Sequence, residues 1–438
     1  MSVPIFDKSV GMCFYGTSAE GIDGRLGPKP EDFIVEEIDN SGVRWGVTGI
    51  QDCLNEKDRF LHFTLVKDRL DTPSALRVLA RGTGIPLKFF SYAGLKDKYA
   101  KTSQRISVYS NYLDRIRELK HSKIMLKDFT YSHNSIQIGD LYGNGFRIRI
   151  LVQNWRDGLR EKLDLIMKQI RDLGGAPNFY GHQRFGTVRS VNHQVGKLIL
   201  KRRFKEAVMR FLSFKGGLES AVSKEFRENI LEGFGNDFSN IDLPEFLFYE
   251  KVMIRHLRSN PGDYIGCFLK MPRDIARLFV HSYQSYLFNL ALTDRWINGI
   301  PLNEAVKGDI VFEGADGYQK YYRVRQNDLS EVNRKVKTGR YKIVLPIIGY
   351  DSKFPSDEVG ECILRVLGRE RIRADDFYIA EAPLLSGQGS YRSVLSPVYQ
   401  LSFEYDEAEK YVNLNFSLEK GCYATVVLRE FLKRPLFR

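Results

Sequence analysis

Apolar and polar positions change their spacing several times along this chain, and each change predicts an element. Pro30 to Glu37, PEDFIVEE, enters a short alternating strand, and Arg59 to Val66, RFLHFTLV, reads as a second from its β-branched and aromatic residues. Thr72 to Arg81, TPSALRVLAR, places Leu76, Leu79 and Ala80 on one face behind a threonine N-cap and a proline at the first helical position. This predicts a helix, ended by Gly82 and Gly84. Strand character resumes at Gln104 to Tyr109. From Asn144 to Val152 an Asn-Gly turn leads into Phe146, Ile148 and Ile150 alternating with Arg147, Arg149 and Leu151, the pattern of a sheet with one buried face. Gly158 to Leu173 is an amphipathic helix stopped by Gly174-Gly175.

From about Asn192 the texture turns helical and basic, and it stays so to near Gly262. A long helix is predicted over Arg273 to Trp296, with Phe279, Tyr283, Tyr286, Leu287 and Leu290 at helical spacing. Strand-like runs follow at Tyr322 to Val324 and Tyr341 to Tyr350. Tyr399 to Tyr405 and Lys410 to Phe416 then alternate across the turn YDEAEK, and Gly421 to Leu432 reads as a helix ending before Pro435. Mixed sheet, then basic helices, then sheet again is the signature of one domain interrupted by an insertion.

Composition narrows the class. At 438 residues, with 43% hydrophobic and 27% charged positions, the chain is globular and long enough for two or three domains. Its longest uncharged stretch, Leu278 to Thr293, is too short and too polar to span a bilayer, and no secretory leader is visible at the start, so a cytoplasmic protein is expected. Cys13, Cys53, Cys267, Cys362 and Cys422 stand far apart without a C-x-x-C pair, and the seven histidines are dispersed. Neither a disulfide framework nor a local metal site is indicated. A net charge of +12 and 13% aromatic residues suit a polyanionic partner with exposed bases, and equally suit aromatics packed in the core with the charges solvated at the surface. The charge concentrates in His193 to Lys215 and in Arg365 to Arg373, RVLGRERIR.

Two segments carry candidate chemistry. In Tyr92 to Gln104, YAGLKDKYAKTSQ, the run Lys96-Asp97-Lys98 is on pattern alone a solvated charged turn. Read for function, it is a carboxylate between two ammonium groups, expected to stay ionised well below neutral pH and able to act as nucleophile or cation stabiliser. Pro177 to Gly186, PNFYGHQRFG, is either a turn plugging the core or a loop for stacking on bases and contacting phosphate; His182 in it reads as a structural hydrogen-bonder. Gly82-Thr83-Gly84-Ile85-Pro86 follows a helix and carries a proline where a phosphate would sit, so a dinucleotide fingerprint fails on context, and no G-K-[ST] loop exists.

AGLKDKYAKTSQ resembles the G-x-K-D-x-x-A-x-T-x-Q signature of the TruD family of tRNA pseudouridine synthases, in its archaeal-type branch. PNFYGHQRFG is similar to that family's N-x-F-G-x-Q-R-F-G, PEDFIVEE to its P-E-D-F-x-V-E-E, HSYQSYLFN to its Q-S-x-L-F-N helix, and GCYATVVLREFL to its closing G-x-[FY]-A-T-x-x-x-R-E. The five segments come in the family's order and cover the whole chain. The resemblance implies an α+β pseudouridine synthase catalytic fold, a mixed or antiparallel sheet flanked by helices, over residues 1–199 plus 389–438, with an inserted α/β TRUD domain over 200–388. It makes Asp97 the counterpart of the catalytic aspartate. Asn178 and Tyr180 fall on the family's asparagine and active-site aromatic, the latter usually phenylalanine. Lys96, Lys98 and Arg184 are candidates to hold Asp97 ionised, Gln183 and either Glu36 or Glu37 to support the site, with at least one of the two glutamates a plain sheet-edge carboxylate, and Lys201, Arg202, Arg203, Arg369, Arg371 and Arg373 to contact RNA phosphates. The implied reaction converts uridine to pseudouridine in tRNA, at position 13 by family analogy, with no cofactor, no metal and no obligate protein partner, by a monomer. Two rivals are weaker. An RNA-binding protein without catalysis would not need the intact Asp97 segment, and an RNA methyltransferase would need a glycine-rich loop after the first strand.

Overall fold

In the computed structural model, residues 2–50, 54–155, 158–186, 188–232, 244–315, 318–354 and 357–436 are described. Cys53 and part of the basic helical stretch, 233–243, lie outside them. The chain forms two compact units: one is Thr17–Ala176 with Ser396–Leu436, the other Met1–Gly16 with Pro177–Leu395. The sequence placed the division nearer 199 and 389. In the structure, the backbone N–H of Asn178 donates to Val394 O, and the Asn289 side chain donates to both Val10 O and Tyr180 O. Those bonds place the PNFYGHQRFG segment and the N-terminal residues with the second unit.

The first unit is built on a ten-stranded mixed sheet. Its main path runs Tyr399–Asp406, Tyr411–Glu419, Gly143–Val152, Phe33–Ile38, Lys101–Tyr109, Phe60–Asp68, Ile124–Ser132. Neighbours are antiparallel throughout except Phe33–Ile38 beside Lys101–Tyr109, where Ile34 pairs with Lys101 in parallel. The helices Leu159–Leu173 and Ala424–Leu432 contribute Leu163, Ile166, Ile170, Val427, Leu428 and Phe431 to one core with Phe146, Ile148, Ile150 and Phe416 of the sheet. A second core gathers Leu76 and Leu79 of the Thr72–Thr83 helix with Leu61, Phe63, Leu65, Ile106 and Val108. That helix begins one residue earlier than the sequence indicated. Asp71 is the cap, its carboxylate accepting the Ser74 N–H at 2.7 Å, and Gly84 ends it in the left-handed region at φ 68°.

The second unit pairs a four-stranded antiparallel sheet, ordered Tyr318–Arg323, Ile310–Ala315, Tyr341–Ile347, Ser390–Ser393, with helices. The 25-residue helix Arg273–Ile297 is its spine, burying Phe279, Tyr283, Leu287, Phe288 and Leu292. Helix Asn192–Leu200 crosses it at Gly196, where a Cβ would stand 2.1 Å from the Phe279 carbonyl oxygen. Backbone cannot yield as a side chain can. Gly196→Ala is therefore expected to cost about 3 kcal/mol through forced separation of the two helices, read as a lowered urea midpoint; an unchanged midpoint would show that the crossing relaxes freely.

Candidate active site

In the first unit the chemistry gathers at the loop between Tyr92 and Lys101. Several independent bonds fix its backbone. Thr72, freed from capping, accepts the Lys96 N–H at 3.0 Å and donates to Gln104 Oε1 at 2.8 Å, while Gln104 Nε2 donates to Gly94 O at 3.0 Å. Gly139 N–H donates to Ala93 O at 2.8 Å, and Ala93 packs with Ile136 and Leu141. Beneath the turn lies Lys67, the next-to-last residue of the strand Phe60–Asp68 and wholly buried. Its ammonium donates to Leu70 O at 2.5 Å, Asp97 O at 2.8 Å and Lys96 O at 3.3 Å. Burial lowers the Lys67 pKa to about 8, against the opposing pull of Asp97 and Asp71.

Glu37 and Lys96 form the adjoining buried pair. Lys96 Nζ lies 2.9 Å from Glu37 Oε2 and donates to Asn144 Oδ1 at 2.5 Å, and Glu37 Oε1 accepts the Arg105 N–H at 2.9 Å. Strand register explains the grouping, because Glu37 and Asn144 sit opposite each other on paired strands. Glu36 instead faces Arg44 and the Val47 N–H. Lys98 points to solvent.

Asp97 itself is open to solvent on one side and crowded by protein on the other. The sequence suggested a carboxylate held well below its usual range by flanking lysines. The balance goes the other way: loss of hydration raises the Asp97 pKa, and the charges of Lys67 and then Lys96 offset this only in part. Lys96 directs its ammonium at Glu37 and Asn144, and Lys98 is exposed to solvent, so desolvation wins. Lys67 is the basic group the sequence did not reveal.

The second unit holds the PNFYGHQRFG residues in a grouping of its own. Asn178 donates from Nδ2 to Ser393 O at 2.9 Å and accepts at Oδ1 from Arg392 at 2.5 Å. The Arg392 guanidinium lies 4.1 Å from the centre of the Tyr180 ring, whose edge-on neighbour is Phe288 at 5.6 Å. Asn289 Oδ1 accepts the Tyr180 N–H at 2.8 Å. Arg184 donates to Ser285 Oγ at 3.1 Å with its guanidinium 5.7 Å from the Tyr180 ring, and Gln183 is half-buried beside it. His182 bonds to Asp7 at 2.9 Å and stacks on Phe6, as a structural histidine would. Arg392, 214 positions from Asn178, is a second residue invisible to a local reading.

The basic candidates divide. Arg202 is committed internally, donating to Leu200 O at 2.6 Å and to Asp376 O at 2.8 Å. Arg203 pairs with Glu206 on the surface, Arg369 reaches Asp294 at 2.9 Å, and Arg373 lies 3.4 Å from Asp375. Arg371 is exposed at a helix end and Lys201 is half-buried. Among the described residues no group of three or more His, Cys, Asp and Glu side chains could hold a metal ion, and no helix is long and apolar enough to cross a membrane.

The first unit is a mixed sheet flanked by helices, the fold class expected of a pseudouridine synthase, and Asp97 stands on a loop beside it. The family model for tRNA pseudouridine synthase D (TruD) matches residues 9–431, so the chain belongs to that family. It is 37% identical over 445 residues to the "Probable tRNA pseudouridine synthase D" of Methanosarcina acetivorans, covering 99% of this chain and 98% of that one. Identity to the Pyrococcus furiosus protein of the same name is 34% over 428 residues, covering 97% and 99%. The crystal structure of the Methanosarcina mazei TruD homologue superposes with a TM-score of 0.84 at 36% identity, covering all of both chains.

Proposed function

We propose that the chain isomerises uridine to pseudouridine in tRNA, as its family membership supports, with Asp97 as the nucleophile and no cofactor. The observation that carries the role of Asp97 is its setting: a solvent-facing carboxylate on a backbone fixed from below by Lys67. The reaction breaks the bond from uracil N1 to ribose C1′, turns the base, and joins C5 to the same carbon; N1 gains a proton and C5 loses one, so no electron leaves the system. A fixed carboxylate meets this need whether it adds to C1′, adds to C6, or draws off a ribose proton in an elimination. The partly desolvated setting makes it a stronger nucleophile than a hydrated aspartate.

Uridine must leave the RNA stack to be reached; Tyr180, which the family resemblance makes the base-stacking aromatic, has its ring buried in the second unit beside Arg392 and Phe288. The Tyr180 hydroxyl can also take part in removing the C5 proton; Tyr180→Phe with full turnover would end that role. By family analogy the target is position 13. Incubating an unmodified tRNA transcript with the protein, then mapping pseudouridine by chemical derivatisation, tests this. Product at position 13, lost when that uridine becomes cytidine, supports the assignment, and product elsewhere refutes it.

The electrostatics predict a pH effect. Lys96 lowers the Asp97 pKa, so Lys96→Met removes a stabilising positive charge and raises it further. The acid limb of the kcat/KM profile is expected to move to higher pH in that variant. A limb that stays in place would mean that another group governs it.

A further inference from the structure

The loop that carries Asp97 also holds out two large apolar side chains that the fold does not use. Leu95 is 68% exposed and Tyr99 82% exposed, two residues to either side of Asp97. An isolated exposed leucine would mean nothing, since much of any protein surface is apolar. Here the backbone is fixed from Ala93 to Asp97 by Lys67, Thr72, Gln104 and Gly139, and the chain enters the strand Lys101–Tyr109 two residues after Tyr99, so the exposed stretch is short and held at both ends. The ring is presented, and it is presented next to charge, with Lys98 Nζ 5.5 Å from its centre. An aromatic face with an ammonium beside it matches one nucleotide: a base to stack and a phosphate to neutralise.

We propose that Tyr99, with Leu95 alongside, stacks on the RNA base adjacent to the reacting uridine, and that Lys98 contacts the phosphate between them. This rests on the reading that Asp97 acts on a uridine of RNA. Extruding that uridine strips its neighbour of a stacking partner. A ring already fixed beside Asp97 replaces the lost partner at little ordering cost, favouring the extruded state over the stacked one. Tyr99 is mostly exposed and contributes to no core, so its removal is expected to leave folding unchanged and the test reads function.

Once the target uridine is mapped, 2-aminopurine is placed next to it in a tRNA transcript and bound by the Asp97→Asn protein. Binding is expected to quench the probe through stacking on Tyr99. The quench should vanish with Asp97→Asn/Tyr99→Ala and persist with phenylalanine or tryptophan at 99. In the protein with Asp97 intact, Tyr99→Ala should lower kcat/KM about tenfold or more with no change in Tm. Lys98→Ala should reduce the salt dependence of binding by about one counterion. Full kcat/KM in Tyr99→Ala, or an undiminished quench, overturns the proposal. Failure of the underlying reading looks different: the unaltered protein then forms no pseudouridine in tRNA.

Discussion

Asparagine in place of Asp97 is expected to reduce pseudouridine formation in tRNA by about four orders of magnitude or more, the scale seen when a nucleophile is removed. The carboxamide keeps the shape and loses the negative charge, so tRNA affinity should change little. Stability is expected to rise rather than fall. The folded environment raises the Asp97 pKa above its ordinary value, so between the two values the folded protein holds more protons than the unfolded chain. Stability is lost as pH climbs through that window, and above it the cost of keeping the carboxylate ionised is borne in full. The Asp97→Asn protein would carry no such cost. Comparing pseudouridine yield, filter binding and Tm for the two proteins checks all three points, and equal yields would remove Asp97 from the mechanism. A gain in Tm with loss of turnover would mark a site that gives up stability for reactivity.

Residues whose partners are near in sequence were legible, and those with distant partners were not. The Thr72–Thr83 helix followed from Leu76 and Leu79 alone, yet its cap shifted to Asp71 because Thr72 bonds to Lys96 and Gln104, 24 and 32 positions away. The strand Ile124–Ser132 escaped notice. Its alternation breaks at Lys127 and Asp128, a buried ion pair at 3.1 Å where Asp128 takes a positive φ and the pairing slips between His62 and Thr64. A bulge of that kind erases the two-residue period that betrays a strand. The strand Ile310–Ala315 was likewise missed, while the helix Glu358–Glu370 was read only as a run of charge. In the basic run, Arg202 looked like a phosphate contact but has a φ of 57° and directs its guanidinium at backbone carbonyls. Asp97 read on pattern alone as part of a solvated turn and was singled out by the family resemblance of its segment, while the sign of its pKa shift required knowing where the lysine charges are engaged.

Lys67→Met is expected to be the most damaging change that leaves every RNA-facing residue intact. LVKDR reads as an ordinary strand end, and only the fold reveals that this lysine supports the Asp97 turn. Methionine matches its length and volume and suits a buried site, but it leaves the carbonyls of Leu70, Lys96 and Asp97 without their donor. Each buried acceptor so abandoned costs about 1–3 kcal/mol, and the loop can escape by lifting toward water. A displacement of about 1 Å at a reacting carboxylate is enough to lower kcat about a hundredfold. KM should hardly move, since Lys67 is buried and meets no RNA. The wild-type profile offers an independent check, because Lys67 titrates at about 8. Above that pH the ammonium loses a proton and with it one donor and its positive charge, so kcat is expected to decline on the alkaline side. The folded pKa lies below the 10.5 of the free group, so global stability should rise, not fall, between those two values. An alkaline loss of kcat without loss of Tm would therefore locate the effect in the loop. If Lys67→Met kept wild-type kcat, the bonds beneath Asp97 would be dispensable and its placement would have to come from the bonds of Thr72, Gln104 and Gly139.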